Sequence, residues 1–244
     1  MRRLTWRVVT VAAVRDEAAA ARTLVLDVPG WPGHLAGQHV DVRLTAEDGY
    51  TAQRSYSIAS APGSDRVELT VQLVDDGELS PYLVGSARPG DRFEIRGPVG
   101  GYFTWQPADP ALVLLAAGGS GIVPLMSMIR ARAAVRSQTP FRLVYSVREP
   151  GVAIYADELR RRVRDDRGLD VAYVYTRTAP EAWPHRPGRV SAARLGEAGW
   201  AAEFEPSCYV CGPTGFVEAV ADLLVSAGHQ AQRIKTERFG PSGG

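Results

Sequence analysis

The segment that most constrains this chain is LVLLAAGGSGIVPLMSMIRARAAV, residues 112–135. Its opening run is apolar without interruption, the pattern of a short strand covered on both faces. A helical repeat follows, with Ile122, Leu125, Met126, Ile129 and Ala133 on one face. At the step between them stands G-x-G-x-x-P. Gly119 and Gly121 remove side chains where a backbone must come close to a ligand, and the free N–H groups at a helix start favour an anion. Pro124 falls in the first turn, where its missing N–H has no partner to lose. A buried strand that feeds a helix in this way belongs to a parallel sheet covered by helices.

The remainder of this half keeps the same rhythm. FRLVYSV, DVAYVYT and CYVCG read as strands, and YADELRRRV, a segment from Ser191, and TGFVEAVADLLVSAG read as helices. Before about residue 105 the rhythm differs. WRVVTVAAV, RTLVLDV, QHVDVRL, RSYSIAS, RVELTVQLV and DRFEIRG are short, partly alternating and rich in β-branched or aromatic residues. Turns such as PGWPGHLAG, AEDGY, APGSD and ARPGD separate them, which predicts an antiparallel barrel or sandwich. GELSPYLVGS reads as a short helix or a loop. The fold expected is therefore two domains, an N-terminal antiparallel β-barrel over 1–106 and a C-terminal α/β parallel-sheet domain over 110–244, joined at WQPADP. The terminal PSGG is expected to be mobile.

Composition removes several classes of function. The 244 residues carry a formal net charge of +1, so no overall field points to nucleic acid or an acidic membrane surface. Four scattered histidines show no metal-ligand spacing, and no apolar run is long enough to span a membrane. The N-terminal WRVVTVAAV alternates with polar residues and soon meets charges, so it reads as a strand rather than a signal peptide, and a cytoplasmic location is expected. The only two cysteines form C-x-x-C, which permits a redox dithiol, half a zinc site, or one functional cysteine. On a strand, Cys208 and Cys211 are an odd number of positions apart and point to opposite faces, against a disulfide or a shared zinc. Cys208 then packs, and Cys211 ends the strand beside Gly212 and Pro213, at the sheet edge where open α/β folds bind ligands. RSYSIAS sets Arg54, Tyr56 and Ser57 close together, a pattern that an ordinary exposed strand also permits.

Taken in order, R-x-Y-S, EIRGPVGGYF, G-x-G-x-x-P, C-G-P and the closing TERFG resemble the ferredoxin–NADP reductase family over nearly the whole chain. The resemblance implies an FAD-binding β-barrel, a nicotinamide-binding α/β domain, and an FAD-dependent NAD(P)H oxidoreductase. It implies that Arg54 pairs with the FAD pyrophosphate through its fork of donors. Tyr56 would pack against the isoalloxazine ring and Ser57 would hydrogen-bond near flavin N5. Gly77-Glu78-Leu79-Ser80 looks like the second pyrophosphate contact, made by backbone and the Ser80 hydroxyl, which favours FAD over FMN. Cys211 would stand near nicotinamide C4, with Gly212 and Pro213 beside it. Phe239 would cover the other flavin face, and Glu237 matches an acidic residue close to the flavin. The chain departs from many relatives at Gln72 and Leu73, where a basic residue is common, and at Phe216, where methionine is common. Relatives also vary at Gly118, where threonine is seen.

Arg148, Arg177 and Arg189 look similar in placement to arginines that NADPH-using relatives set near the 2′-phosphate. NADPH is therefore expected, with NADH possible and Glu149 an awkward neighbour. Two cysteines cannot ligate a [2Fe–2S] cluster, which takes four. Electrons are therefore expected to leave for a separate acceptor, a ferredoxin or another small redox protein. The alternatives are a reductase of free flavin or another small molecule, and a non-enzymatic flavin- or nucleotide-binding regulatory subunit. ELRRRVRDDR has mixed signs and reads as a solvated helix face rather than a docking patch.

Overall fold

The computed structural model describes residues 4–46 and 48–240, so PSGG lies outside the described residues. The first half forms one six-stranded antiparallel sheet. Its strands are β1 (Trp6–Ala18), β2 (Ala21–Asp27), β3 (His39–Thr45), β4 (Thr51–Ser57), β5 (Val67–Gln72) and β6 (Arg92–Val99), in the order β4-β3-β6-β1-β2-β5. A bridge from Ile58 to Leu69 brings the two outer strands together and closes the sheet into a barrel. The alternation seen in the sequence lines its interior: Val9 and Val11, Leu24 and Leu26, Val40 and Val42, Leu69 and Val71 are all buried. GELSPYLVGS contains one helical turn, Tyr82–Ser86, whose Leu83 joins this core.

The second half is a parallel sheet of β7 (Val113–Gly118), β8 (Phe141–Val147), β9 (Leu169–Tyr175), β10 (Ser207–Pro213) and β11 (Ile234–Phe239). The order is β11-β10-β7-β8-β9, so the chain builds outward on one side of β7 and then returns to build on the other. That reversal opens a crevice outside the carboxyl ends of β7 and β10, where ligands bind in such sheets. Helices α1 (Ile122–Ala134), α2 (Ala156–Asp165), α3 (Ala192–Ala198) and α4 (Thr214–Ser226) follow β7, β8, β9 and β10. Ser191 caps α3, accepting from the Arg194 N–H.

Two features exceed the sequence reading. IKTERF forms β11, a strand the periodicity did not announce because only Ile234 in it is fully buried. Helix α1 is buried nearly all round, not on one face alone, because the barrel covers the side turned away from the parallel sheet. Ala36, Ala59, Phe103 and Trp105 from the first half share one apolar cluster with β7, β8 and α1. Among the described residues, no helix is long and apolar enough to cross a membrane.

Candidate active site

The two glycine turns expected at the crevice meet each other. A Cβ at Gly121 would lie 2.1 Å from the Cys211 carbonyl oxygen, and one at Gly118 would lie 2.8 Å from the Phe216 ring. A Cβ at Gly212 would come within 3.0 Å of Gly118 Cα. The absence of a side chain at Gly121 thus lets the β10 end pack directly against the start of α1. Gly119 alone faces open space, with a left-handed φ of 53° and Gln72 Oε1 as its nearest neighbour at 3.9 Å. Pro124 is buried in the first turn of α1, and Pro213 is exposed where β10 passes into α4.

Across from this crevice the barrel contributes β3 and β4. His39 and Ser57 are directly paired across these strands, and Cys211 is paired with Glu237 across β10 and β11. His39 Nδ1 lies 3.8 Å from Glu237 Oε1, so the pairs meet at the boundary between the two halves. Ser57 Oγ and Glu237 Oε2 are buried without a hydrogen-bond partner. A third such atom, Trp105 Nε1, lies in the core beside Phe141. Burial pushes the Glu237 carboxyl up to about 7, so it exchanges a proton near neutrality. Burial also lowers the His39 pKa. Cys211 is fully buried, and burial, followed by the neighbouring Glu237 charge, holds its thiol well above the usual range. It is a neutral thiol, not a nucleophile. Cys208 packs in the opposite core layer, as the alternation predicted, and both cysteines are free. Phe239 is half-buried at the end of β11, opposite Pro213.

Further along β4, Tyr56 is half-buried against the barrel core and its hydroxyl is pushed up to about 12, chiefly by burial. Arg54 is exposed and paired with Glu78. In the turn that carries Glu78, a Cβ at Gly77 would meet Ser80 Oγ at 2.6 Å. Ser80 Oγ accepts from the Val74 N–H at 3.0 Å and donates to the Val74 carbonyl at 3.2 Å. The Ser80 hydroxyl thus serves the turn itself, and what the turn offers an anion is backbone.

At the far side of the crevice, Arg148 follows β8 and Arg177 follows β9. The Arg177 N–H donates to the Arg148 carbonyl at 3.0 Å, and the Gly188 N–H to the Tyr175 carbonyl at 2.9 Å, which draws Arg189 to the same edge. All three side chains are exposed, and among the described residues none has a recorded ion pair or side-chain hydrogen bond. His39 and Tyr50 were missed in the sequence, and Glu78 was read only as part of the Gly77–Ser80 segment, without its pairing to Arg54. The register of β3 against β4 places His39 beside Ser57, and no local motif encodes that register.

The arrangement fits a flavin. Two unpartnered buried polar atoms, one from each half, lie where the barrel and the crevice face each other, beside a cation and an aromatic on the same strand. The fold and site define a two-domain protein of the flavin- and nicotinamide-binding class. Residues 9–104 match the oxidoreductase FAD-binding domain, and residues 115–222 match the oxidoreductase NAD-binding domain. The chain belongs to the ferredoxin–NADP reductase family. It is 31% identical over 224 residues to the 2-halobenzoate 1,2-dioxygenase electron transfer component of Burkholderia cepacia, covering 91% of this chain and 63% of that protein. It is also 31% identical over 241 residues to an NADPH oxidoreductase of Mycobacterium tuberculosis, covering 95% and 60%. The chain thus spans about three fifths of the length of these curated relatives. Among solved structures it superposes on the cytochrome P450 reductase of Amycolatopsis with a TM-score of 0.85 and 25% identity, covering 100% of this chain and 72% of that one. A ferredoxin NADP+ reductase from Neisseria gonorrhoeae with bound FAD and NADP shares the fold, with a TM-score of 0.79, 21% identity, and 98% and 99% coverage.

Proposed function

We propose that this chain is an NADPH-dependent flavoprotein reductase that delivers electrons to a separate redox protein, such as a ferredoxin. The observation that carries the reading is the meeting of Ser57 and His39 from the barrel with Cys211 and Glu237 from the parallel sheet. When bound, FAD supplies a ring atom, N5, that accepts hydride from NADPH and releases the electrons singly or in pairs. The protein's part is to align the two rings, exclude water and manage a proton.

Arg54 holds the FAD diphosphate, supported by backbone N–H groups of Gly77–Ser80, and Tyr56 packs on the ring. Ser57 Oγ, otherwise unpartnered, hydrogen-bonds at N5. Glu237, with a pKa near neutrality, takes up and returns the proton, and His39 is the neighbour through which it exchanges. Phe239 would cover the ring on the side where nicotinamide is to stack. Gly119, Gly121, Pro124 and the start of α1 receive the NADPH diphosphate, and Gly212 and Pro213 shape the opposite wall. Cys211 stands as a small neutral thiol beside nicotinamide C4. Arg148, Arg177 and Arg189 receive the 2′-phosphate. The two functional units divide at residues 107–109, and the site of action is cytoplasmic.

Names of relatives agree with an electron acceptor on another protein: one is an electron transfer component of a dioxygenase, another a glycine betaine monooxygenase reductase subunit from Pseudomonas aeruginosa. Anaerobic stopped-flow mixing of the purified yellow protein with NADPH and with NADH tests the reading. Flavin bleaching, faster with NADPH, is expected. Flavin that stays oxidised with both coenzymes would falsify it.

A further inference from the structure

Arg54, the cation assigned to FAD, is already engaged. Its Nη1 donates to the Gln53 carbonyl at 2.7 Å, and its Nη2 donates to one oxygen of the Glu78 carboxylate. The other Glu78 oxygen accepts from the Tyr50 hydroxyl at 2.6 Å, a bond that raises the Tyr50 pKa. Glu78 sits inside the Gly77–Ser80 turn, the same turn assigned to the diphosphate. That turn is fixed from below by the close approach of Gly77 to Ser80 and by the two bonds between Ser80 and Val74. A carboxylate is therefore carried at the place where an anionic ligand has to arrive.

We propose that Glu78 is a built-in competitor for the FAD diphosphate, a side chain that engages Arg54 and sets how easily the cofactor exchanges. The proposal rests on the reading of Arg54 as the diphosphate ligand. A guanidinium offers its N–H donors in one plane, in edges suited to a carboxylate or to a phosphate, and Glu78 engages the Nη2 that those edges share or adjoin. Glu78 must yield that donor, or remain beside two further negative charges. Either outcome weakens binding. The pair itself adds little to stability, because the Arg54 and Glu78 side chains are 59% and 39% exposed. Removing the charge therefore leaves the barrel folded and acts on the ligand alone.

The test uses flavin-stripped full chain, titrated with FAD and with riboflavin by fluorescence, and with ADP as a displacing ligand. Glu78→Gln should tighten FAD about tenfold, the scale of one charge-assisted hydrogen bond. ADP should tighten in parallel, while riboflavin, which has no phosphate, should not change. Raising the salt concentration should shrink the difference between variant and parent. Arg54→Ala supplies the second arm. If it loses affinity for FAD but not riboflavin while Glu78→Gln binds FAD equally or more weakly than the parent, the competition is disproved and the cofactor site stands. Unchanged FAD affinity in Arg54→Ala removes the assignment of Arg54 and the proposal with it.

Discussion

Arg177 is where coenzyme choice can be read from one side chain. It is exposed, and among the described residues it has no recorded side-chain partner, so its loss costs the fold little. Arg177→Ala should raise KM for NADPH roughly tenfold or more, the loss of one charge-assisted contact, with KM for NADH nearly unchanged. Steady-state assays with both coenzymes decide; equal effects would remove the assigned role. Glu237 gives a pH test. Its folded-state pKa of about 7 lies above its ordinary value of 4.5, so the folded protein binds more protons than the unfolded chain between those values. The stability this contributes is full below 4.5 and is lost as pH rises through 7, about 3 kcal/mol in all. Thermal unfolding of the flavin-free protein should therefore find Glu237→Gln more stable than the parent at pH 8 and no more stable at pH 5. The motifs singled out Arg54, Ser57, the Gly77–Ser80 segment and the glycine turns in the sequence. The place of His39 beside Ser57 and the pairing of Glu78 with Arg54 were not legible, because each depends on a strand or turn far away in the chain.

Elements met the sequence reading where one periodicity ruled them. The paired apolar positions of the barrel strands and the six buried residues of β7 left no alternative placement. Strand β11 escaped because an edge strand needs few apolar residues, and α1 was under-read because its second buried face depends on the barrel. The turn glycines were legible, but their reason was not. Gly118 is held open by Phe216, whose ring fills the space of a Cβ. Gly118→Ala should destabilise by about 1–3 kcal/mol through overpacking, and Phe216→Met should recover most of that loss. Additive effects in thermal melts would deny the coupling. Helix α1 also carries the joint between the halves. Arg130 donates to the Ala59 carbonyl at 2.9 Å and to Glu68 at 2.8 Å on the barrel, and to Glu158 of α2 at 2.6 Å. Ser127 Oγ donates to the Ser60 carbonyl at 2.7 Å, and the Tyr155 hydroxyl donates to Thr70. Arg130→Ala removes a cation, only 10% exposed, that Glu68 and Glu158 share, leaving Glu68 with Arg15 and Glu158 with Arg162. It should cost about 1–3 kcal/mol, the scale of lost hydrogen bonds to charged groups. Where the variant folds, flavin reduction should slow with FAD affinity unchanged; Arg130→Lys should recover part of the rate.

For the whole molecule, the continuous cluster from Ala36 and Trp105 through α1 to β8 joins two sheets of unlike topology into one core. Calorimetry of the flavin-free protein should show a single transition, with calorimetric and van't Hoff enthalpies equal. Two resolved transitions would mean that the halves melt as independent bodies. The strand order has a further consequence, in time rather than space. Strand β11 follows the other ten strands in the chain, yet it supplies Glu237 and Phe239 to a site whose barrel residues come from β3 and β4. During synthesis, the flavin-holding strands are made well before the strand that completes the site. A ribosome-bound chain halted before residue 234 would hold a finished cup and no lid, so a nascent chain could acquire its pigment before it could use it.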